Sequence, residues 1–477
     1  MSNQPFPPTG TIFWSNIRER MKGGMGVVSL GPKRELLADI DSNSMVTADD
    51  FRGRGPKYAN EFNLPPSVWI TGGDGKASRN PFRNGITPYS TPDSDDNSVL
   101  FPTSLAARGG SHTGIVHPDG HVYMWGSGGV RLGLGNNVAT QSTPKRVPDL
   151  ENIVAIAMGD DHTLVLKENG RVFAWGVGAR GQLGNGSRSD SSTPVEVSVG
   201  EMGTEKVVAI AAGNECSFAL TDNGRVYGWG LATSGRIGIG TNAPDEVLTP
   251  RRVDNLDNIH IVAIAVGRTF SLALSNTGKV YSWGSGSNGK LGNGSTSFKP
   301  SPSLISRGEM PNDYVVKTIA CGAEHCLALL ENGHVYAWGS GENGRLGTGN
   351  TDDQNEPVVS IDNTVIAAIA CGRDHSIMLF KINRNMYCTG KGENGRLGQG
   401  DTEDRLNWSM VTSPSLGSFG AIVAVECGSS CTYALRNDGQ LFSWGSGSGL
   451  VLGSGNETDR LLPGPVFQGN MPSHTLF

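Results

Sequence analysis

The dipeptide Trp-Gly recurs along the chain at a nearly constant interval, and this limits what the chain can fold into. It occurs at 125/126, 175/176, 229/230, 283/284, 338/339 and 444/445, and Thr389-Gly390 holds the sixth of seven positions, so the spacing is 50 to 55 residues. Such a period, with several strand-like runs and no amphipathic helical pattern, is typical of a β-propeller. WD repeats are shorter and kelch repeats have a similar period, so the period alone leaves the type of propeller open.

One copy of the repeat, Ile319 to Gly349, indicates how a single unit folds. It reads IACGAEHCLALLENGHVYAWGSGENGRLGTG, in which short apolar runs are each closed by Gly or Asn. Asn332-Gly333 favours a tight turn between two paired strands, because both residues tolerate a positive φ. A further strand is expected near Pro357. A sheet this small cannot bury both faces alone, so each unit must pack against its neighbours.

The repeated motif identifies a family more specifically than the period does. Gly159-Asp-Asp-His162, then Asn169-Gly170 before Trp175-Gly176, then Gly181-Gln-Leu-Gly184 resembles the regulator of chromosome condensation repeat family. Seven copies span about residues 99 to 467. The resemblance implies a seven-bladed propeller, but it does not by itself imply guanine-nucleotide exchange, because one fold serves unrelated tasks.

The ends of the chain leave the number of blades open between seven and eight. Val68 to Gly73 and Ser473 to Phe477 each look like part of a repeat, and we favour seven blades. The expected fold class is all-β, a seven-bladed β-propeller with a short helical EF-hand-like N-terminal arm. The expected domains are residues 1–60 for the arm, 61–98 for a half-repeat and linker, and 99–477 for the propeller.

The N-terminal arm contains a candidate calcium loop. Asp39, Asp41, Asn43 and Asp50 occupy loop positions 1, 3, 5 and 12 of the EF-hand spacing. Two features depart from that pattern: Ser44 replaces the glycine of the sharp turn, and Asp50 replaces the longer glutamate. Calcium is therefore the one cofactor to consider.

The wider frame of the arm resembles one hand of the calcyphosine-like EF-hand proteins. It comprises Ile17 to Met21, Gly24-x-Gly26, Leu30-Gly31 and a loop that ends at Phe51. Because proteins of this class are frequent in cilia, the resemblance implies a ciliary location by analogy. The arm either binds calcium or keeps the EF-hand shape as a docking piece without an ion.

Composition indicates the compartment and excludes some partners. The net charge is −6, which argues against nucleic acid as the main partner. No apolar run approaches 18 residues and no leader is visible, so we expect no membrane span and a cytoplasmic or cytoskeletal location. Cys321, Cys371 and Cys427 share one repeat position, which other copies fill with Met, Ala or Val. These thiols are expected to be buried, as in a reducing compartment.

Motifs that suggest catalysis are better explained by the repeat. Gly284-Ser-Gly286-Ser-Asn-Gly289 matches a dinucleotide fingerprint by letter, but a turn and a strand follow it instead of a helix. A histidine recurs three residues after a glycine, where other copies carry Cys or Phe. This indicates a packing position, and we expect the imidazole to bond to the backbone. These histidines are His112, His162, His325 and His375. We therefore expect no catalytic residue and no enzyme.

The residue before the loop leucine is basic in five of the seven copies. The five are Arg131, Arg236, Lys290, Arg345 and Arg396, and the other two are Gln182 and Val451. One interpretation is a set of solvated loop charges. The other is a positive rim that docks an acidic partner surface, such as an acidic protein tail.

The leading hypothesis from the sequence is a non-enzymatic protein-interaction scaffold, a structural component of a cytoskeletal assembly such as the ciliary axoneme. Its partners would be protein subunits of that assembly, including tubulin or other axonemal proteins. One alternative is a guanine-nucleotide exchange factor for a small GTPase, although no spacing between repeats leaves an obvious insertion for a nucleotide-displacing element. A second alternative is a calcium-responsive regulator.

Overall fold

The computed structural model describes residues 104–106, 111–136, 138–362, 366–411 and 422–471, which all belong to one compact unit. The candidate calcium loop, the EF-hand-like arm and both terminal part-repeats lie outside these residues. Within them the chain forms seven antiparallel four-stranded sheets, or blades, whose strands follow one another in chain order. The all-β propeller with seven blades is confirmed, whereas the domain boundaries stay predictions.

The first four blades contain strands β1 to β16. Their bounds are β1 Ser104–Ala106, β2 His112–Val116, β3 Val122–Ser127, β4 Thr140–Arg146, β5 Ile153–Met158, β6 His162–Lys167, β7 Val172–Gly176, β8 Ser191–Glu196, β9 Val207–Ala212, β10 Cys216–Thr221, β11 Val226–Leu231, β12 Glu246–Arg252, β13 Ile261–Val266, β14 Phe270–Ser275, β15 Val280–Gly284 and β16 Lys299–Leu304.

The last three blades contain strands β17 to β28. Their bounds are β17 Val316–Cys321, β18 His325–Leu330, β19 Val335–Gly339, β20 Gln354–Ile361, β21 Ile366–Cys371, β22 His375–Phe380, β23 Met386–Gly390, β24 Arg405–Met410, β25 Ile422–Cys427, β26 Cys431–Arg436, β27 Leu441–Gly445 and β28 Arg460–Pro465. Short 3₁₀ turns lie outside the strands at Gly129–Leu132, Gly200–Met202, Thr233–Gly235, Ser287–Gly289, Glu342–Gly344, Glu393–Gly395 and Ser448–Leu450.

The first strand of each blade lines the axis of the propeller. Strands β1, β5, β9, β13, β17, β21 and β25 contact one another in sequence, and β25 also contacts β1. These strands combine β-branched residues with alanine, as in Ile-Val-Ala-Ile-Ala-Met of β5. Small side chains suit this region because seven sheets converge there, and the β-branched residues favour the extended backbone.

Among the described residues, blade 7 closes the ring on blade 1 without a shared sheet. The backbone N–H of Asn470 donates a 2.9 Å hydrogen bond to the carbonyl of Pro144, and that of Gly455 donates a 3.2 Å bond to Ser142. Met471 packs in the core cluster that contains Trp125. Closure within the described residues therefore depends on packing and on hydrogen bonds between blades.

Candidate functional site

The residue before each loop leucine, here called the junction residue, joins its blade to the next one. The indole N–H of the following blade's tryptophan donates to its carbonyl at five junctions. The tryptophans are Trp125, Trp175, Trp229, Trp283 and Trp338, which donate to Val451, Arg131, Gln182, Arg236 and Lys290 at 2.6 to 3.1 Å. All five indoles are fully buried. The repeated tryptophan is thus an anchor between blades.

A hydroxyl group from the following blade shares the junction carbonyl, and a histidine then bonds to that hydroxyl. Ser376 donates to the carbonyl of Arg345 at 2.8 Å, and His325 Nε2 lies 2.8 Å from the Ser376 oxygen. Because the carbonyl can only accept, the serine proton points to it and the imidazole Nε2–H donates to the serine oxygen. The same chain of bonds joins His375 to Thr432 and His162 to Ser217.

These contacts explain His162, His325 and His375 as structural groups. The sequence predicted packing with the imidazole bonded to backbone, whereas the bond goes to a hydroxyl of the next blade. Burial is the main cause that lowers the pKa of His112 to about 4 and those of His162 and His375 to about 3. The pKa of His325 also lies well below its ordinary value, again mainly because of burial. The four imidazoles are therefore neutral near pH 7.

Four of the five basic junction residues are buried, so they do not form the exposed positive rim that the sequence suggested. Arg236 is 6% exposed, and Lys290, Arg345 and Arg396 are each 2% exposed. Only the side chain of Arg131, at 29%, reaches solvent appreciably. Arg131, Lys290 and Arg345 reach across to the next blade, whereas Arg236 and Arg396 bond to Thr233 and Glu393 of their own loops. Partner binding by these residues stays a prediction.

The basic junction residues pair with carboxylates at the next blade in three places. Arg131 Nε lies 2.6 Å from Asp161, Arg345 Nη1 lies 3.0 Å from Asp374, and Lys290 is paired with Glu324. Each carboxylate lies directly before the buried histidine of its blade. These histidines are His162, His325 and His375. Arg396 instead bonds within its own blade, to the Glu393 carboxylate at 3.2 Å. The ring of cations is thus largely neutralised by neighbouring acids.

A recess of about 450 Å³ opens where the innermost strands end. Its walls come from the loop between the first and second strand of several blades, here called the first loop. The first-loop residues Asp160, Arg268, Ala323, Arg373 and Ser429 line it, together with Arg131 and Asp161. Neighbouring loops are tied by backbone hydrogen bonds, as from Arg268 N–H to Ala323 O at 3.1 Å. The recess therefore has a pre-organised polar rim.

The predicted thiol position lies on the wall of this recess. Cys321, Cys371 and Cys427 come from three consecutive blades and all contribute to the lining. Cys321 and Cys427 are 8% and 3% exposed, as expected, whereas Cys371 is only half-buried. The chain's seven cysteines all lie in the described residues and none is in a disulfide.

Two further predictions concern metals and membranes. Across the described ranges, no group of three or more His, Cys, Asp or Glu side chains is placed to hold a metal ion. The candidate calcium ligands Asp39, Asp41, Asn43 and Asp50 lie outside those ranges. In the same part of the chain, no helix combines the length and hydrophobicity that crossing a bilayer requires.

Seven blades joined by junction carbonyls, indoles and buried histidines define a class of β-propeller whose ring is closed by repeated contacts between blades. Comparison with known families identifies the class. The RCC1-like domain matches residues 74–359 and, in an overlapping second match, residues 185–474. The chain belongs to the RCC1-like family.

Relatives and solved structures agree with this assignment. The human regulator of chromosome condensation is 30% identical over 371 residues, which cover 74% of this chain and 86% of that protein. The ultraviolet-B receptor UVR8 of Arabidopsis thaliana is 34% identical over 289 residues, which cover 60% of this chain and 63% of the receptor, less than two thirds of its length.

Two solved propellers have similar backbones. Human WBSCR16 is 25% identical, with a TM-score of 0.67 over 74% of this chain and 95% of that one. Prp20p of Saccharomyces cerevisiae, solved with a study of its binding to Gsp1p and histones, is 24% identical, with a TM-score of 0.64 over 82% of this chain and 92% of that one. These comparisons support a general protein-interaction role.

Proposed function

We propose that this chain is a non-enzymatic protein-interaction scaffold that binds an acidic surface of a partner at the recess. The observation that carries the proposal is the pair of exposed first-loop arginines, Arg268 and Arg373, on the recess wall. Cationic side chains at a concave, partly desolvated site attract carboxylates more strongly than those on an open surface.

Arg268 and Arg373 differ from the junction cations in how far they are already neutralised. Lys290 and Arg345 are buried and paired with carboxylates of the next blade. In contrast, Arg268 has no ion pair with any described residue, and the side chain of Arg373 is 57% exposed and 3.7 Å from Asp374. A partner carboxylate at Arg268 therefore gains an interaction without displacing an internal one.

The binding surface also needs little reorganisation. The Ala323 N–H donates to Arg373 O at 3.4 Å, so three consecutive first loops, in blades 4 to 6, are connected through Ala323. Because loops fixed before binding lose less conformational entropy on association, this rim suits a stable assembly component. We therefore propose Arg268 and Arg373, and not the junction residues, as the groups that bind the acidic surface of the partner.

The proposed setting is a stable cytoskeletal assembly, with the ciliary axoneme as its first candidate. The support for this setting is the calcyphosine-like resemblance of residues 1–60 together with a propeller in which the first loops of six blades line one recess. Tubulin or another axonemal subunit is the proposed partner, and the location is cytoplasmic and cytoskeletal.

The experiment is an extraction of cells that carry the tagged full-length chain, with detergent and then with high salt, followed by mass spectrometry of the fraction that retains it. Retention with tubulin or axonemal proteins after high salt is the expected result, and full release into the detergent-soluble fraction would overturn the proposal. The double variant Arg268→Glu with Arg373→Glu should lower retention at least tenfold. Lys317→Glu is the matched control, because Lys317 is exposed near the opposite end of β17.

The second candidate is a guanine-nucleotide exchange factor for a small GTPase. Prp20p binds Gsp1p, and one feature of this chain favours the candidate: Ile382, at 79% exposure, lies at the tip of the turn between β22 and β23. That tip could insert at a partner's nucleotide site. Faster nucleotide release from a GTPase with the native chain than with Ile382→Asp would support exchange, and equal rates with and without the chain would remove it.

A calcium-responsive regulator is the third candidate, because the predicted ligands fit the EF-hand spacing. Ser44 and Asp50 depart from the EF-hand pattern only in residue type, since they replace a glycine and a glutamate. Calorimetry of the full chain with calcium, compared with Asp39→Asn and Asp41→Asn, tests it. Binding heat that both substitutions abolish would support a calcium site, whereas no heat at millimolar calcium would remove this candidate.

A further inference from the structure

Blade 5 differs from every other blade in placing two cysteines opposite each other. Cys321 ends β17 and Cys326 is its cross-strand partner in β18. Their sulfur atoms are 3.9 Å apart. At the same two positions the other described pairs are Met158 with Thr163, Ala212 with Ser217, Val266 with Ser271, Cys371 with Ser376 and Cys427 with Thr432.

The backbone geometry at this pair is compatible with a bond between the sulfurs. The Gly322 N–H donates to His325 O at 2.8 Å, so residues 322 and 325 form a hydrogen-bonded pair. Because the two kinds of pair alternate along an antiparallel ladder, Cys321 and Cys326 form a non-hydrogen-bonded pair, whose Cα atoms are about 4.5 Å apart. This separation lies within the range that disulfides span. A side-chain rotation can therefore bring the sulfurs together without moving the strands.

The two thiols have different surroundings. Cys321 lies on the wall of the recess, where a small oxidant can reach it, whereas Cys326 is fully buried. The thiol of Cys326 also donates to the carbonyl of Lys290 at 3.5 Å. It therefore holds the position that serine or threonine holds at other junctions, between blades 4 and 5.

We propose that Cys321 and Cys326 are an oxidant-responsive dithiol that closes to a disulfide and so removes the thiol donor from the Lys290 carbonyl. A hydroperoxide supplies the oxidising equivalents. With hydrogen peroxide, the Cys321 sulfur takes one oxygen to give a sulfenic acid and one water is released. The Cys326 sulfur then attacks the Cys321 sulfur, the S–S bond forms as the S–O bond breaks, and the thiol proton leaves with the hydroxyl as a second water.

The consequence is local to one junction. The Trp338 indole still donates to the Lys290 carbonyl at 3.1 Å, so the blades stay joined. What is lost is the second donor to the same carbonyl. The buried thiol of Cys388 provides a contrast, because no described strand pair places a second cysteine opposite it.

The test is mass spectrometry of the reduced full-length protein after treatment with hydrogen peroxide, followed by denaturation, alkylation and trypsin. Cleavage after Lys317 and Arg345 gives one peptide that contains Cys321 and Cys326 and no other cysteine. The expected result is loss of both alkylation sites, a mass lower by two hydrogen atoms, and recovery of both sites after dithiothreitol. Cys388, in another peptide, should stay fully alkylatable in the same sample.

Two variants separate the pair from general thiol oxidation. Cys326→Ser keeps a donor to Lys290, as Ser271 does for Arg236, and should leave Cys321 as a sulfenic or sulfinic acid with no disulfide. Cys371→Ser, at the equivalent position of the next blade, should not change disulfide formation in blade 5. Three results would overturn the proposal. They are alkylation of both cysteines after oxidation, addition of oxygen to each sulfur separately, and a disulfide from Cys321 to any cysteine other than Cys326.

Discussion

The indole N–H of Trp408 donates a 2.9 Å hydrogen bond to the hydroxyl of Ser360, at the one junction whose blade lacks the repeated tryptophan. Thr389 holds the repeat position in blade 6, but Trp408 comes from the adjacent strand β24. A Cβ atom at Gly347 would lie 2.3 Å from its ring nitrogen, much as one at Gly292 would lie 2.7 Å from that of Trp338. A neighbouring strand thus supplies the anchor that the repeat omits.

Replacing Trp408 by alanine should therefore destabilise the propeller as loss of a repeat tryptophan does. We expect a decrease of about 3 kcal/mol in the free energy of unfolding, and a larger decrease for Trp338→Ala, because Trp408 is half-buried and Trp338 is fully buried. Urea denaturation would measure both. Ile382→Ala is the control, because Ile382 is exposed and its replacement should change the free energy of unfolding little. If Trp408→Ala had an effect as small as this control, Trp408 would not be the anchor that replaces the repeat tryptophan.

Stability should fall as the pH drops below about 6.5. The folded-state pKa values of the buried histidines lie below the ordinary value, so protons bind more tightly to the unfolded chain in this range, and each histidine contributes up to about 1.4 kcal/mol per pH unit. The loss continues to about pH 4 for His112 and about pH 3 for His162 and His375. Thermal unfolding between pH 8 and pH 4 would measure it.

A single-site variant can isolate one histidine from this pH dependence. His375→Phe places at blade 6 the residue that blade 4 carries as Phe270, so the fold should persist with one fewer titrating group. The slope of stability against pH should then decrease by about one proton. An unchanged slope in His375→Phe would contradict the assignment.

The glycine three residues before each of His162, His325 and His375 should be irreplaceable because the imidazole covers it. An added Cβ at Gly322 would lie 2.2 Å from His325 Cε1 and 2.5 Å from the carbonyl oxygen of Gly372. Gly322→Ala should therefore cost about 1 to 3 kcal/mol of stability. In combination with His325→Ala, the cost should be less than the sum of the two single effects, since one of the two clashes disappears. Strict additivity in the double-mutant cycle would contradict the contact.

The repeated part of this fold can be predicted from the period of the sequence, whereas the places where a blade departs from the repeat cannot. Turn residues and apolar runs at fixed offsets predict seven sheets in chain order, because each unit needs neighbours to bury its faces. Trp408 was missed because it lies outside the repeated motif. The sequence did contain a signal, however. Thr389 replaces the repeat tryptophan in one copy, and Trp408 follows it 19 residues later.

The junction ring shows a second limit of reading one sequence. A basic residue in a glycine-rich loop resembles a solvated charge, and burial depends on contacts between blades that local patterns do not encode. Alignment of the repeats against one another would have indicated the pairing at three junctions, because Arg131, Lys290 and Arg345 each precede a blade with Asp161, Glu324 or Asp374 at one fixed position. Arg236 and Arg396 precede blades with Thr269 and Ser430 at that position, so the alignment predicts no such pair for them. Val451, in contrast, precedes a blade with Ser111 there.

The pair of Lys290 and Glu324 should reveal the cost of leaving a junction cation without its carboxylate. The Lys290 side chain is 2% exposed and that of Glu324 is 27% exposed. Glu324→Gln should decrease the free energy of unfolding by about 3 kcal/mol, because it leaves a buried ammonium without its counter-charge. Adding Lys290→Gln, which reproduces Gln182 of blade 2, should recover part of that loss, since the buried charge is then gone. Urea denaturation of the two single variants and the double variant measures the coupling, and a double variant less stable than Glu324→Gln alone would show that the lysine is not held by this carboxylate.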